Sequence, residues 1–202
     1  RFGTISVRQL LKQSEDTTSF TFTSELIWRD FYAQILSHFP HVAERAFRPA
    51  YDEIAWRNDE EDFDKWCKGE TGYSLVDAGM KELLTTGFMH NRVRMLVASF
   101  LTKHLLIDWR WGEAWFARHL LDFDLASNNG GWQWASGSGT DAAPYFRIFN
   151  PITQADKFDK DGKYRDQFNP GWRDGKFPMM VDHKMARERA LNTYKERLSV
   201  KE

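Results

Sequence analysis

Asp122-Phe123-Asp124-Leu125-Ala126-Ser127-Asn128-Asn129-Gly130-Gly131-Trp132-Gln133-Trp134-Ala135-Ser136-Gly137-Ser138-Gly139-Thr140-Asp141-Ala142-Ala143-Pro144-Tyr145-Phe146-Arg147-Ile148-Phe149-Asn150-Pro151 is the stretch about which the rest of the chain is organised. Two aspartates on a two-residue step, Asp122 and Asp124, precede the amides Asn128 and Asn129 and the indoles Trp132 and Trp134. An ionised carboxylate only accepts hydrogen bonds, an amide both donates and accepts, and an indole offers a wide planar face with one donor. That set suits a flat heterocycle with N–H edges. Gly130, Gly131, Gly137 and Gly139 are read as positions where the backbone turns left-handed or approaches a ligand closely. The blander alternative is a Gly/Asn turn followed by aromatics that fill a core.

Outward from this stretch the apolar spacing is helical. Trp111 to Leu121 carries Trp115, Phe116, Leu120 and Leu121 on one side. Asn91 to Leu106 is expected to be a single helix, with Val93, Leu96, Val97, Phe100, Leu101 and Leu105 as its stripe and Asn91 as its cap. Leu75 to Thr86 is a core helix that Gly87 closes. Thr23 to Phe39 repeats Leu26, Ile27, Phe31, Ile35, Leu36 and Phe39 until Pro40 stops it, and Ser6 to Gln13 is a short helix capped by Ser6. Phe63 to Glu70 allows a turn or two of helix, whereas His41 to Asp62 is irregular and anchored by Tyr51, Ile54 and Trp56. Beyond Pro151, Thr153 to Phe158 and Asp182 to Leu198 read as helices separated by an exposed loop, Asp159 to Pro178. No strand ladder or repeat is visible. The expected fold is all-α, a compact multi-helical arrangement over residues 1–202.

Composition narrows the function classes. Hydrophobic residues make up 42% and charged residues 28% of 202, within the range of globular proteins. No apolar run reaches the roughly 18 residues of a membrane span, and no signal peptide opens the chain, so no membrane partner and a cytoplasmic location are expected. The net charge of −1 does not advertise nucleic-acid binding, and any DNA contact must come from basic groups gathered on one face. Cys67 is the only cysteine, which excludes an internal disulfide and a cysteine-based zinc cluster. Asp159-Lys160-Asp161-Gly162 resembles part of a calcium loop, but Lys157 and Phe168 occupy required ligand positions. His38-Phe39-Pro40-His41 lacks helical spacing for a metal pair, and Ser136 to Gly139 lacks nucleophile-elbow spacing. No metal is expected.

Asn128 to Ser136 followed by Gly139 to Pro151 resembles the hallmark of the DNA photolyase and cryptochrome flavoproteins. The similarity continues through Glu25-Leu26-Ile27-Trp28-Arg29, Thr71-Gly72-Tyr73, Met89-His90-Asn91-Arg92-Val93-Arg94-Met95 and Leu106-Ile107-Asp108-Trp109-Arg110. The resemblance implies a helical FAD-binding catalytic domain of a deoxyribodipyrimidine photolyase, a carbon-carbon lyase that repairs cyclobutane pyrimidine dimers. On that resemblance, reduced FAD is expected to absorb light and pass an electron to a dimer flipped out of damaged DNA, after which two C–C bonds break and the electron returns. The chain opens in mid-motif at Arg1-Phe2-Gly3. A longer parent protein is therefore expected, with an N-terminal antenna domain carrying its own chromophore and a Thr/Ser-rich segment that grips the flavin phosphates. A monomer is expected.

The same resemblance assigns residues. Phe22, Arg94, Asp122, Asp124 and Asn128 are expected at the flavin, with Asn128 beside the ring nitrogen that is protonated on reduction and Arg94 paired with Asp122 in a buried ion pair. Phe22 departs from relatives that carry tryptophan there. Trp132, Trp109 and Trp56 are expected to relay an electron from the surface, because an indole can be oxidised where a phenyl ring cannot. Glu25, Trp28, Asn91, Met95 and Trp134 are expected to hold the dimer, the acid and amide reading edges and the indoles stacking. Related (6-4) photolyases usually place histidines at positions 91 and 95 and glutamine at 25, so this is the cyclobutane-dimer set. Arg29, Arg92, Arg147 and Gln154 are expected at the DNA backbone. Two alternatives remain: a cryptochrome-type blue-light receptor without repair, against which Asn128 weighs because plant members often carry aspartate there, and a helical scaffold that only binds DNA or protein.

Overall fold

Leu75, Val76, Met80 and Leu83 are all buried, as their spacing requires of a helix enclosed by neighbours. They lie on α4 (Ser74–Thr86), closed by Gly87 in the left-handed conformation at φ 68°. The computed structural model describes residues 5–17 and 20–198, so the opening Arg1-Phe2-Gly3 lies outside the described residues. Before α4 come α1 (Val7–Thr17), α2 (Phe20–His38) and α3 (Glu60–Lys68). Two 3-10 turns, Pro40–Ala43 and Pro49–Glu53, give the irregular 41–62 segment its shape. After α4 come α5 (Asn91–Ser99), α6 (Trp109–His119), α7 (Leu125–Ser136), α8 (Pro151–Phe158), α9 (Lys163–Phe168) and α10 (His183–Leu198). No strand occurs among the described residues, in agreement with the all-α expectation.

The core runs through α3, α4, α5, α6 and α7, with Trp66, Met80, Leu101, Trp109, Phe116 and Trp132 inside it. Helix α7 packs on α2, α5 and α6, and this contact sets one wall of the site. Gly112 on α6 makes the closeness possible: a Cβ there would lie 2.1 Å from the tip of the Trp132 ring. Helix α10 packs on the π-helical turn Phe100–His104 and around Tyr194, which is 1% exposed.

Four expectations are corrected. Gly130 and Gly131 lie inside α7 rather than in a left-handed turn, because Asp124 starts that helix by accepting the Ser127 N–H at 3.1 Å and Gly137, at φ 91°, ends it. Asn91 is not the cap of α5; His90 is, its ring nitrogen accepting the Arg92 N–H at 3.1 Å. The 91–106 run is not one α-helix, for its last turn widens to π geometry and Leu106 then takes φ 51°. The 159–178 segment is not an exposed loop: it forms α9 and a 3-10 turn at Trp172–Asp174, around a buried Arg165–Asp159 ion pair at 2.8 Å. Asp159 also accepts the Tyr164 and Arg165 N–H groups at 2.9 and 3.1 Å, which with the guanidinium hold its carboxyl below the usual range despite the opposing effect of burial.

Candidate functional site

Helices α2, α5 and α7, together with the link between α6 and α7, enclose a cavity of about 440 Å³. That volume lies within the roughly 300–1,000 Å³ of small-molecule and cofactor sites. From α2 come Glu25, Trp28, Arg29 and Tyr32; from α5 come Asn91, Arg94 and Met95; from the central stretch come Asp122, Asp124, Asn128, Trp132 and Trp134. Eleven of the residues singled out in the sequence thus share one lining. Phe22, 39% exposed, does not line it.

At one end Arg94 donates from one terminal nitrogen to both Asp122 oxygens at 3.1 and 2.8 Å, and from Nε to the Met89 carbonyl at 2.6 Å. The expected pair is present, but it is not buried: the Asp122 side chain is 49% exposed. Its contribution is accordingly nearer that of a surface pair, about 1 kcal/mol or less, than that of an enclosed one. Asp124 accepts from both the Ser127 N–H and hydroxyl with one oxygen, so helix capping accounts for that atom.

Asn128 is oriented by a residue the sequence did not single out. Its Nδ2 donates to the Glu113 carboxylate at 2.8 Å and to the Glu113 carbonyl at 3.1 Å. With the amide nitrogen engaged there, the carbonyl oxygen is the acceptor that Asn128 brings to the cavity. Burial raises the Glu113 carboxyl above its ordinary range, opposed by the Asn128 hydrogen bond. Tyr32 was also missed. It stacks on Trp28 at 5.8 Å, and its ring lies so close to α7 that a Cβ on Gly130 would meet it at 2.2 Å. Burial, then the charge of Asp141, pushes its hydroxyl up to about 12, so Tyr32 stays protonated.

The three relay candidates belong to one core. Trp109 and Trp132 are each 2% exposed, and half-buried Trp56 packs against the same cluster. Trp132 has its ring neighbours in Phe116 at 5.0 Å and Trp66 at 6.1 Å, and Trp56 has Tyr194 at 6.0 Å. None of the described ring contacts joins two of the three indoles directly; Trp132 instead meets the Trp109-bearing helix at Gly112, one turn along.

Of the backbone candidates, Arg29 lines the cavity, while Arg92, Arg147 and Gln154 lie outside its lining. Arg92 stacks over Phe158 at 4.6 Å and Arg147 over Phe149 at 5.4 Å. No group of three or more metal-ligating side chains occurs among the described residues. No helix among them is long and apolar enough to cross a membrane.

An all-helical fold with an amide, an ion pair and indoles around one cavity defines a class of cofactor-binding helical domains. The chain belongs to the family described as the FAD binding domain of DNA photolyase, whose profile matches residues 22–177. It is 49% identical over 199 residues to the deoxyribodipyrimidine photo-lyase of Agrobacterium fabrum, a match that covers 86% of this chain and 42% of that protein. A bacterial class III photolyase from Agrobacterium tumefaciens superposes with a TM-score of 0.84 at 43% identity, covering 94% of this chain and 45% of that one. An archaeal photolyase from Sulfolobus tokodaii, solved with two FAD molecules, gives 0.90 at 40% identity, covering 96% and 48%. The chain thus spans somewhat under half the length of these relatives.

Proposed function

We propose that this chain is the flavin-binding part of an enzyme that uses light to split cyclobutane pyrimidine dimers in DNA. The observation that carries the reading is the single cavity that has Asn128, Asp122 and Arg94 in its lining together with Glu25, Trp28, Asn91, Met95 and Trp134. The donor set fits a flavin: Asn128 offers an acceptor oxygen held in place by Glu113, and the guanidinium of Arg94 is fixed by three hydrogen bonds. When bound, reduced FAD supplies light absorption and the transferable electron.

The chain's own residues bind and orient. Trp28 and Trp134 offer flat faces to a flipped pyrimidine pair, Glu25 accepts from its N–H edge, Asn91 hydrogen-bonds its carbonyls, and Met95 adapts to the puckered ring. Trp132, Trp109 and Trp56 form stations for an electron drawn from the protein surface. Arg29, Arg92, Arg147 and Gln154 lie along the DNA backbone. Asn128 at the flavin weighs toward repair rather than signalling.

The test is repair of a dimer-containing oligonucleotide by the full-length protein. Dimers should disappear under blue light and persist in the dark, and Trp28→Ala should weaken binding of dimer-containing DNA. A flavin-loaded protein that binds the oligonucleotide yet leaves dimers intact under light would overturn the reading.

A further inference from the structure

Trp56, the outermost relay candidate, lies on no helix, and its indole nitrogen is buried without a hydrogen-bond partner. The position of its ring is therefore set by packing and by the backbone that carries it. That backbone is tied to one place. The Arg57 N–H donates to the Leu106 carbonyl at 2.7 Å, the Arg57 guanidinium to the Leu105 carbonyl at 3.2 Å, and the Asn58 side-chain oxygen accepts the Asp108 N–H at 2.8 Å. Asp108 caps α6, of which Trp109 is the first residue. Three hydrogen bonds thus join the two residues after Trp56 to the four residues before Trp109. Both sides adopt unusual backbone to make the joint: Asn58 has φ 48° and Leu106 φ 51°, the two non-glycine residues with positive φ among those described. Leucine disfavours that conformation, so the joint is specified by its surroundings rather than by local preference.

We propose that Asn58 is a positioning residue that fixes the distance between the indoles of Trp56 and Trp109. The inference rests on the relay reading given above. In the step it serves, the oxidised indole of Trp109 takes one electron from Trp56, and the Trp56 radical cation takes one electron from an external thiol, which loses its proton to solvent and leaves as a thiyl radical. Transfer between the rings falls off exponentially with their separation, so a small loosening of the joint costs rate without altering either ring.

The experiment compares Asn58→Gly, Asn58→Asp and Trp56→Phe in the full-length flavin-loaded protein. Glycine accepts φ 48° but lacks the acceptor; aspartate keeps an acceptor and tolerates the same backbone. Asn58→Gly should lose protection of the Asp108 amide against hydrogen exchange and reduce flavin photoreduction by thiol several-fold. Repair by chemically reduced protein should stay unchanged, and Asn58→Asp should restore both protection and photoreduction. Loss of amide protection with undiminished photoreduction would overturn the role of Asn58. If Trp56→Phe itself leaves photoreduction intact, the relay reading fails, and the role of Asn58 with it.

Discussion

Glu113 shows what a single residue adds that its letter does not disclose. In Arg110-Trp111-Gly112-Glu113-Ala114-Trp115 it reads as a solvent-facing acid on an amphipathic helix, and only the packing of α7 on α6 brings it to Asn128. Glu113→Ala leaves the Asn128 amide with a backbone partner alone. Loss of one hydrogen bond, about 0.5–1.5 kcal/mol, should weaken flavin binding roughly two- to tenfold, read by titrating the unloaded protein with FAD. An unchanged Kd would mean that something else orients Asn128. His104 supplies a pH dependence. Its Nε2 lies 2.8 Å from His183 Nδ1, its Nδ1 is buried and unpartnered, and burial, then His183 and Arg189, lower it from 6.5 to about 3. The unfolded chain takes the proton first, so its stabilising contribution is complete above 6.5 and declines as pH falls towards 3. The slope is about 1.4 kcal/mol per pH unit. His104→Phe should flatten the fall of Tm between pH 6.5 and 4 relative to the parent protein; parallel curves would rule the histidine out as its source.

Among the elements, the amphipathic helices were legible because their apolar residues repeat, and α4 with its Gly87 terminus matches the spacing closely. Helix α7 was not, since its Asn-Asn-Gly-Gly letters favour a turn and only capping by Asp124 and packing against α2, α5 and α6 outweigh that preference. Helix α9 was hidden for a related reason: its anchors are polar, Arg165 and Asn169 buried by partners distant in sequence, and a hydrophobic pattern cannot reveal them. Two glycines separate local preference from packing. Gly131→Ala meets nothing within 4 Å and should stabilise the unloaded chain by about 0.5–1 kcal/mol. Gly112→Ala gains the same helix preference but drives a methyl into Trp132, and overpacking of about 1–3 kcal/mol wins, lowering Tm. Thermal melts of the pair decide it, and equal shifts would show that α6 yields.

For the whole molecule, a net charge of −1 means that the DNA binding proposed above would depend on where the arginines lie. Arg92→Gln should weaken damaged and undamaged duplexes alike and reduce the slope of log K against log salt by about 1, measured by anisotropy with the full-length protein. A loss confined to damaged DNA would place Arg92 at the lesion instead. The cavity was the most legible large-scale feature, because its residues carry a family motif; the outer strap at Asn58 was not, since a left-handed asparagine looks like any other loop residue until its partner is known. One further consequence follows from α2, a helix of 19 residues with no fully buried side chain, which nevertheless supplies Glu25, Trp28 and Tyr32 to the cavity. A guest that touches α2 and the α5 residues Asn91 and Met95 together should restrain that wall, so the second guest should meet a frame already stiffened. Bound together on the proposed reading, coenzyme and lesion should each tighten the hold on the other, a cooperativity carried by chain entropy.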